Sequence, residues 1–235
     1  IMDLRLSEEE QLIKKTAAEF VDRELIAREG AFLKQTEPFL PAGAPVRREL
    51  EGAIRAELIQ KARAIGLWCL ELPEAHGGSP MSALMRVLIY REFGRSVLPF
   101  APVTIPGFMF ETKYGQQLAD GALTLGLAFD EAHKTGNLNQ LKNLYRQEIE
   151  GAILQDARSD LFDCHADLFL FPAREPGTQR LGLFVIERDT SGLTIADEVD
   201  LTTDATVARL SLHLCRVPNE QLLGYEYEAG AIIAA

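Results

Sequence analysis

The sequence predicts a two-part α+β protein, with an N-terminal all-α helical domain followed by a small antiparallel β-barrel domain. Up to about Gly121, apolar residues recur with the spacing of amphipathic helices. Beyond that residue the pattern changes to alternation, and short strand-like runs are separated by turn residues, which favours a small barrel or sandwich. We therefore expect domains at residues 1–120 and 121–224, with the first turns of a further helical domain at 225–235.

The composition is that of a globular protein and excludes several classes of partner. The chain of 235 residues is 47% hydrophobic and 25% charged, which are ordinary values. Its formal net charge of −11 gives it no general attraction for nucleic acid or for an anionic membrane surface. The longest apolar runs are far too short to span a bilayer. The three cysteines are sparse and irregularly spaced, as in a reducing compartment, so we predict a cytoplasmic protein.

The first predicted helix begins with a capping box. In this motif the side chains of Ser7 and Glu10 accept hydrogen bonds from each other's backbone N–H groups. The apolar residues that follow fall on one stripe, which consists of Ile13, Ala17, Phe20, Val21 and Leu25. We expect this helix to end at Gly30, because glycine interrupts helical patterns.

Two more helices are predicted in the first domain. The second spans about 47–65 and is followed by Gly66, which is a natural C-terminal cap. The third spans about 82–93 and is apolar nearly all round, so we expect it in the middle of the helical domain rather than on its surface. Trp68 comes directly after the glycine cap, and packing in the core is favoured over stacking on a ligand.

Strand predictions fill part of the second domain. Four runs alternate or are continuously apolar, at 122–129, 168–173, 181–187 and 207–217. The second and third are joined by 174–177, whose proline and glycine are typical of turns. In the fourth run, an unbroken strand would place His213 and Cys215 on the same side.

Several short blocks stand in a fixed order along nearly the whole chain. They include GLWCLELPEAHGG at 66–78, LADG at 118–121 and VPNEQLLG at 217–224. Further blocks lie at 90–96, 166–170 and 183–188. The ordered set resembles the acyl-CoA dehydrogenase family, in which a helix end leads into "P-E-x-x-G-G" before the next buried helix.

The resemblance implies a helical domain, a middle β domain and a C-terminal helical bundle. The bundle is expected to be missing, either from the protein or only from this sequence. The resemblance also implies an FAD-dependent oxidoreductase that acts on an acyl-CoA thioester. In the family the flavin accepts the β-hydrogen as hydride, and a carboxylate of the bundle removes the α-proton. No residue of this chain is given that catalytic role.

The same resemblance implies a set of cofactor-binding positions. In the family, a "T-E-P-x-x-G-S" strand end and a "W-I-(T/S)-N" segment meet the flavin ring. The equivalent positions in this chain are Phe129, Asp130, Gly136, Leu161 and Phe162. Asp130 stands where the family has a hydroxyl donor, whereas an ionised aspartate only accepts hydrogen bonds and would repel the charge of a reduced flavin. The alternative is that these residues only line a strand end and a loop.

Two functions follow from the resemblance. The first is FAD-dependent α,β-dehydrogenation of an acyl-CoA, as in fatty acid β-oxidation. The second is a partner subunit without flavin in a heteromeric dehydrogenase, like the family members that act on steroid side chains. A flavin monooxygenase on the same scaffold has no support in the sequence. Either function implies a homo- or hetero-oligomer, as a dimer or tetramer.

Two other groups of residues suggest different sites. Zinc-ligand residue types occur in the second domain at Cys164, His165, His213 and Cys215. They lack C-x-x-C spacing, so buried cysteines and partner-bonded histidines are favoured and no metal is expected. Arg91 and Arg95 lie one helical turn apart, and a solvated helix face or a salt bridge is favoured over binding of an anionic ligand.

Overall fold

The structure is a computed structural model. It describes residues 6–35, 45–68, 70, 81–98, 100, 105–129, 141–161, 165–178, 180–199 and 206–225. The chain divides into two compact units, Ile1–Ala122 and Leu123–Ala235. The described elements of the first unit are helical, and those of the second are almost all strands. The prediction of a helical domain followed by a β domain is confirmed.

The chain enters the first unit through a long helical segment. Helix α1 (Glu8–Phe20) passes into a π-helical stretch (Val21–Ile26) and then into α2 (Ala27–Gln35). The capping box is confirmed, with the Glu10 N–H donating to Ser7 Oγ at 3.1 Å and the Ser7 N–H donating to Glu10 Oε2 at 2.9 Å. The prediction that the helix ends at Gly30 was wrong. Glycine in a helix interior costs only about 1 kcal/mol, and the apolar stripe continues beyond it to the buried Phe32.

Two further long helices follow, α3 (Pro45–Ala64) and α4 (Ala83–Phe93). Helix α3 ends at Gly66, whose φ of 74° lies in the left-handed region, so the predicted glycine cap is confirmed. The prediction that α4 lies in the middle of the helical domain rather than on its surface was wrong, because Val87 is 64% exposed. Its residues at helical spacing on one side, such as Met85 and Ile89, carry the burial.

Aromatic side chains fill the core of the helical unit. Phe20 of α1 and Phe93 of α4 lie 5.9 Å apart between ring centroids, and both pack against Phe100. Trp68 is buried, and its indole N–H donates to the carbonyl of Leu118 at 3.3 Å, which confirms the prediction of core packing. A 3₁₀ turn (Gly107–Glu111) and the short helix α5 (Gly115–Ala119) complete the unit.

The described residues of the second unit form ten strands. They are β1 (Leu125–Leu127), β2 (Leu144–Glu148), β3 (Gly151–Gln155), β4 (Ala157–Leu161), β5 (Leu168–Arg174), β6 (Leu181–Glu187), β7 (Leu193–Val199), β8 (Thr206–Leu212), β9 (Cys215–Pro218) and β10 (Leu222–Tyr225). One sheet has the order β10-β6-β5-β2-β3-β9, with β1 pairing β5, and the other has the order β4-β8-β7. A shared core contains Phe169, Phe171 and Phe184 from the first sheet and Leu210 and Leu212 from the second.

Two strand predictions are corrected. The run at 122–129 contributes only the three residues of β1 to a sheet. The run at 207–217 is two strands, β8 and β9, because Leu214 adopts a φ of 49° and turns the chain between them. Most pairings are antiparallel as expected, but β1 and β2 both run parallel to β5.

Candidate functional site at the edge of strand β5

The predicted cofactor positions begin where β1 ends. Strand β1 pairs in parallel with the first residues of β5, and the Ala128 N–H continues the ladder by donating to the Leu170 carbonyl at 2.9 Å. Phe129 follows directly and is half-buried. Asp130 and Gly136 lie outside the described residues. The structure therefore places one of these three positions, at the carboxyl end of a short buried strand.

Strand β5 changes partner close to this point. Its first half pairs with β1, and its last residue, Arg174, pairs with Leu144 of β2. The Arg174 N–H donates to the carbonyl of Asn143 at 2.9 Å. Pro172 lies between the two pairings and faces the same edge, since backbone groups two residues apart point the same way. Proline has no N–H, so this gap in the ladder leaves no donor unsatisfied.

Phe129 thus follows the strand that pairs with the first half of β5, and Asn143 contacts the last residue of β5. Both lie along the same edge of that strand. Asn143 itself is buried and joins the two sheets. Its side-chain amide donates to the Arg158 carbonyl at 2.9 Å and accepts from the Arg158 N–H at 2.8 Å. A side chain that satisfies both backbone groups of one residue fixes β4 against the start of β2.

The second predicted cofactor segment lies at the opposite end of β4. Leu161 is the last residue of that strand and pairs with Ala208 of β8. Phe162 lies outside the described residues. Phe129 therefore follows a strand of one sheet and Leu161 ends a strand of the other, and their sharing of one flavin site stays a prediction. Sequence reasoning did not single out Asn143, because the strand that follows it has the mixed sequence LYRQE and gives no clear signal.

The start of β1 is also held by a side chain that the sequence did not reveal. One carboxylate oxygen of Asp167, Oδ2, accepts hydrogen bonds from the N–H and the hydroxyl of Thr124, both at 2.8 Å. The Thr124 carbonyl accepts in return from the N–H groups of Asp167 and Leu168, both at 3.0 Å. We call this arrangement the Thr124–Asp167 clamp. It ties the chain just before β1 to the chain just before β5.

Charged residues of the helical unit form ion pairs with one another. Arg28 and Lys61 both contact Glu57, at 2.8 Å and 2.9 Å, and both also contact Glu24. Hydrogen bonds from Arg28 and then Lys61 lower the pKa of Glu57 to about 2. The hydrogen bond to Glu57 raises the pKa of Arg28, and the one to Glu24 raises the pKa of Lys61. This network joins the π-helical stretch and α2 to α3, so its role is to stabilise the packing of the helices.

Arg95 likewise belongs to a structural contact. It donates to Glu92 at 3.0 Å and to Asp22 at 2.6 Å, as the salt-bridge interpretation predicted. Its hydrogen bonds to Glu92 and then to Asp22 raise the pKa of Arg95. Arg91 is exposed, in agreement with a solvated helix face.

The zinc-ligand residue types do not come together in the described structure. The prediction that His213 and Cys215 share one side was wrong, because the turn at Leu214 separates them. His213 is exposed and pairs with Asp156 at 2.5 Å, whereas Cys215 is buried and donates to the Ser191 carbonyl at 3.1 Å. Burial raises the pKa of the Cys215 thiol. Among the described residues, no three His, Cys, Asp or Glu side chains lie together as metal ligands would.

An open pocket of about 610 Å³ lies at the turn between β2 and β3 and against β9. Among the charged residues that line it, Glu148 and Arg216 pair with each other at 3.1 Å. The turn lies at the opposite end of β2 from Leu144, and none of the predicted cofactor positions lines the pocket. We therefore place the candidate site at the edge of β5 rather than here.

Comparison with known proteins identifies the class of fold. Residues 7–119 match the family model described as acyl-CoA dehydrogenase, N-terminal domain. The predicted resemblance to the acyl-CoA dehydrogenase family is thereby confirmed, with the helical unit corresponding to that domain.

Among curated proteins, the chain is similar to (R)-benzylsuccinyl-CoA dehydrogenase of Thauera aromatica. The two are 22% identical over 95% of this chain and 59% of the relative. It is also 25% identical to acryloyl-CoA reductase (NADH) of Anaerotignum propionicum, over 96% of this chain and 58% of the relative. The chain thus spans somewhat under two thirds of the length of these relatives.

Solved structures agree with this fold. An acyl-CoA dehydrogenase of Bacillus anthracis, complexed with FAD, superposes with a TM-score of 0.78 at 21% identity, over all of this chain and 40% of that one. The ChsE4–ChsE5 complex of Mycobacterium tuberculosis superposes with a TM-score of 0.70 at 17% identity, over 98% of this chain and 61% of that one. In the described part of the chain, no helix has the length and apolar character that a membrane crossing requires.

Proposed function

We propose that this chain is part of an FAD-dependent acyl-CoA dehydrogenase that introduces a 2,3-double bond into an acyl thioester. The observation that carries the proposal is the order of the two units. A helical unit that matches the family's N-terminal domain precedes a β unit, and the whole chain takes the fold of solved acyl-CoA dehydrogenases. The curated relatives are named as redox enzymes of CoA thioesters, which supports the same substrate class.

The edge of β5 supports placing the cofactor near Phe129. A half-buried aromatic side chain at a strand end can border a flavin ring. Leu161, the last residue of β4, joins the proposed set through the family resemblance. When bound, the flavin would supply the acceptor for the hydride. The residues of this chain would hold and orient it, and Phe162, Asp130 and Gly136 belong to the same proposed set. No residue of this chain is proposed as the base.

Absorption spectroscopy of the purified chain tests the proposal directly. A yellow protein with a flavin absorption band that bleaches when an acyl-CoA is added without oxygen would support it. A panel of straight-chain, branched and ring-containing acyl-CoA thioesters then defines the substrate class. Because no residue of this chain is proposed as the base, the contradicting result is a flavin-loaded protein that no acyl-CoA reduces even when a polypeptide that supplies the base is present.

A second function is favoured by one residue. Asp130 stands at a position where the family has a hydroxyl donor, and a carboxylate there opposes tight flavin binding. This favours a partner subunit that keeps the scaffold without flavin, in a heteromeric dehydrogenase of which steroid side-chain thioesters are one candidate substrate. A solved structure with the same fold, the ChsE4–ChsE5 complex, contains two different chains by name.

The colour of the wild-type chain separates these functions, and two variants test the effect of Asp130 on flavin binding. In a partner subunit, the wild-type chain is colourless and supports activity only after a second polypeptide is added. Asp130→Thr restores the hydroxyl donor and removes the negative charge, so we expect it to tighten flavin binding in either case. Asp130→Asn removes the charge but supplies an amide donor, and it distinguishes the effect of charge from that of the hydroxyl. Light scattering of the purified chain shows whether it forms the proposed dimer or tetramer. The cytoplasmic location stays a prediction.

A further inference from the structure

Strand β1 is short for a strand that carries a site. It has three residues, it pairs in parallel with β5, and its ladder extends by the Ala128 hydrogen bond to Leu170. Parallel pairing is slightly weaker per residue than antiparallel pairing. The short β1–β5 ladder by itself therefore fixes β1 only loosely. The position of Phe129 therefore depends on what else holds β1.

The Thr124–Asp167 clamp holds β1 at its first end. Hydrogen bonds to a carboxylate are shorter and stronger than neutral ones, and here a single oxygen accepts two of them at 2.8 Å. Asp167 and Thr124 are both half-buried, which reduces competition from water.

The clamp is anchored to the most buried part of the unit. The Arg188 N–H donates to the Asp167 carbonyl at 2.9 Å, and the Arg188 guanidinium donates to the Ala166 carbonyl at 2.6 Å. These bonds attach the residues before β5 to the end of β6. Residues 168–173 of β5 and 181–186 of β6 are all buried, so the clamp connects a short strand to a well-packed pair.

Packing at Gly126 makes the register of β1 specific. A Cβ atom at this position would lie 2.9 Å from the Cβ of Ala166 and 3.1 Å from the ring of Phe169. A shift of β1 by one residue would bring Leu125 or Leu127 to that place and would also break the clamp. Such a shift would turn the following side chains to the opposite face.

We propose that Asp167 is a positioning residue: through the clamp it fixes the register of β1 and thereby the place where Phe129 meets the flavin. Asp167 acts through Thr124 and β1 and does not touch the cofactor. The inference rests on the proposed function for its second half, since the flavin is part of that function. Its first half, the register of β1, can be measured without any flavin.

The experiment compares four variants of the full chain by two measurements. Hydrogen exchange of the Ala128 amide reports the β1–β5 pairing, and exchange in the β5–β6 pair reports the integrity of the sheet. Titration with FAD, followed by absorbance and fluorescence, reports cofactor affinity. The variants are Asp167→Ala, Asp167→Asn, Thr124→Val and the control Asp189→Ala, which removes a carboxylate from an exposed turn of the same unit.

The expected results differ between the variants. Asp167→Ala should speed exchange at Ala128, leave the β5–β6 amides protected and weaken FAD binding about tenfold or more, as expected for loss of charge-assisted hydrogen bonds. Asp167→Asn keeps an acceptor oxygen, so its Ala128 exchange rate and its FAD affinity should both be close to those of the wild type. Thr124→Val keeps the side-chain shape, loses one of the two bonds to the carboxylate and should fall between them. Asp189→Ala should match the wild type.

Several outcomes would overturn the inference. Unchanged exchange at Ala128 in Asp167→Ala would show that the clamp does not fix β1. Faster exchange with unchanged FAD affinity would show that the register does not position the cofactor. If Asp167→Ala unfolds, the β5–β6 amides lose protection, and Thr124→Val then decides the matter. If the wild-type chain binds no FAD, the flavin-binding part of the proposed function fails, while the Ala128 measurement still decides whether the clamp holds β1.

Discussion

Different kinds of contact stabilise the helical unit and the β unit internally. In the helical unit, local signals mark the start of α1, at Ser7, the start of α4, at Ser82, and the end of α3, at Gly66. Ion pairs such as Arg28–Glu57 join neighbouring helices. In the β unit, the central strands β5 and β6 pair with each other and are buried on both faces, and their other partners, β1, β2 and β10, come from more distant parts of the chain. The helical unit should therefore tolerate single changes that the β unit does not.

The largest effect is expected from the centre of the β unit. Phe184 of β6 is fully buried, and its ring packs edge-on against Tyr145 of β2 at 5.1 Å between centroids. Phe184→Ala should lower the free energy of unfolding by about 3–5 kcal/mol, measured by urea denaturation and far-UV circular dichroism. Ile149→Ala truncates an apolar side chain of the same unit that is 96% exposed, and it should change stability by about 0.5 kcal/mol at most.

The chain contains a single tryptophan, Trp68, which lies in the helical unit. Its fluorescence therefore reports that unit alone. If Phe184→Ala moves the fluorescence transition as far as the dichroism transition, the two units unfold together. If it moves only the dichroism transition, they unfold separately.

A smaller loss is expected from a backbone contact in the same sheet. A Cβ atom at Gly151 of β3 would lie 2.1 Å from the carbonyl oxygen of Val217 in β9. Gly151→Ala must push β9 away, and we expect a loss of about 1–3 kcal/mol, as for other overpacked sites. Gly177→Ala is less informative as a control because of its positive φ, so Gly30→Ala, with open space around it, serves instead and should be neutral or slightly stabilising. Equal losses for the two variants would contradict the expected difference between the units.

The helical unit should lose less when a local signal is removed. Ser7→Ala breaks the capping box of α1 and should cost about 1 kcal/mol, read from Trp68 fluorescence during urea denaturation. Thr16→Ala lies in the same helix and removes a hydroxyl that bonds only to Leu12 one turn earlier, so it should not destabilise. If Ser7→Ala lowered the free energy of unfolding by more than Phe184→Ala does, the expected difference between the helical unit and the β unit would be reversed.

The smallest effect concerns the pH dependence of the ion pairs. The pKa of Glu57 falls from its ordinary value of 4.5 to about 2 in the folded state. A lowered pKa in the folded state contributes stability above the unfolded value, and that contribution is lost as the pH falls from about 4.5 towards 2. Because Glu57 is 48% exposed, solvent screening keeps the contribution below about 1 kcal/mol.

Glu57→Gln tests this contribution. The variant should be slightly less stable than the wild type at neutral pH, and the difference should shrink as the pH approaches 2. High salt should shrink it too, since exposed ion pairs are screened. A difference that grows on acidification would mean that Glu57 is not stabilised as the carboxylate.

Much of the helical unit could be predicted because its signals are local. Ser7 with Glu10, Gly66 after α3 and the burial of Trp68 were all expected from neighbouring residues, and all are confirmed. Two predictions for the helical unit were wrong. The one at Gly30 concerned how far the first helical segment extends, and the one for α4 concerned which face of that helix is buried. Glycine weakens a helix without ending it, and Val87 is exposed although its neighbours are apolar.

The candidate site was less predictable because it depends on pairing between distant residues. The resemblance to a family gave the positions Phe129 and Leu161, but not their places in different sheets. Asn143 and Asp167 are ordinary polar residues in the sequence. Their roles come from Arg158, fifteen residues away, and from Thr124, 43 residues away.

By itself, the sequence determined the order of the two units, the helices with their caps and the strands β5 and β6, since hydrophobic period and capping act between residues close in the chain. Only the tertiary structure decided that β1 and β2 meet the same edge of β5, that Leu214 splits a continuous alternating run, and that Asp167 clamps β1. These features depend on hydrogen bonds between residues far apart in sequence. Their partners are chosen when the sheet assembles, so no local pattern specifies them.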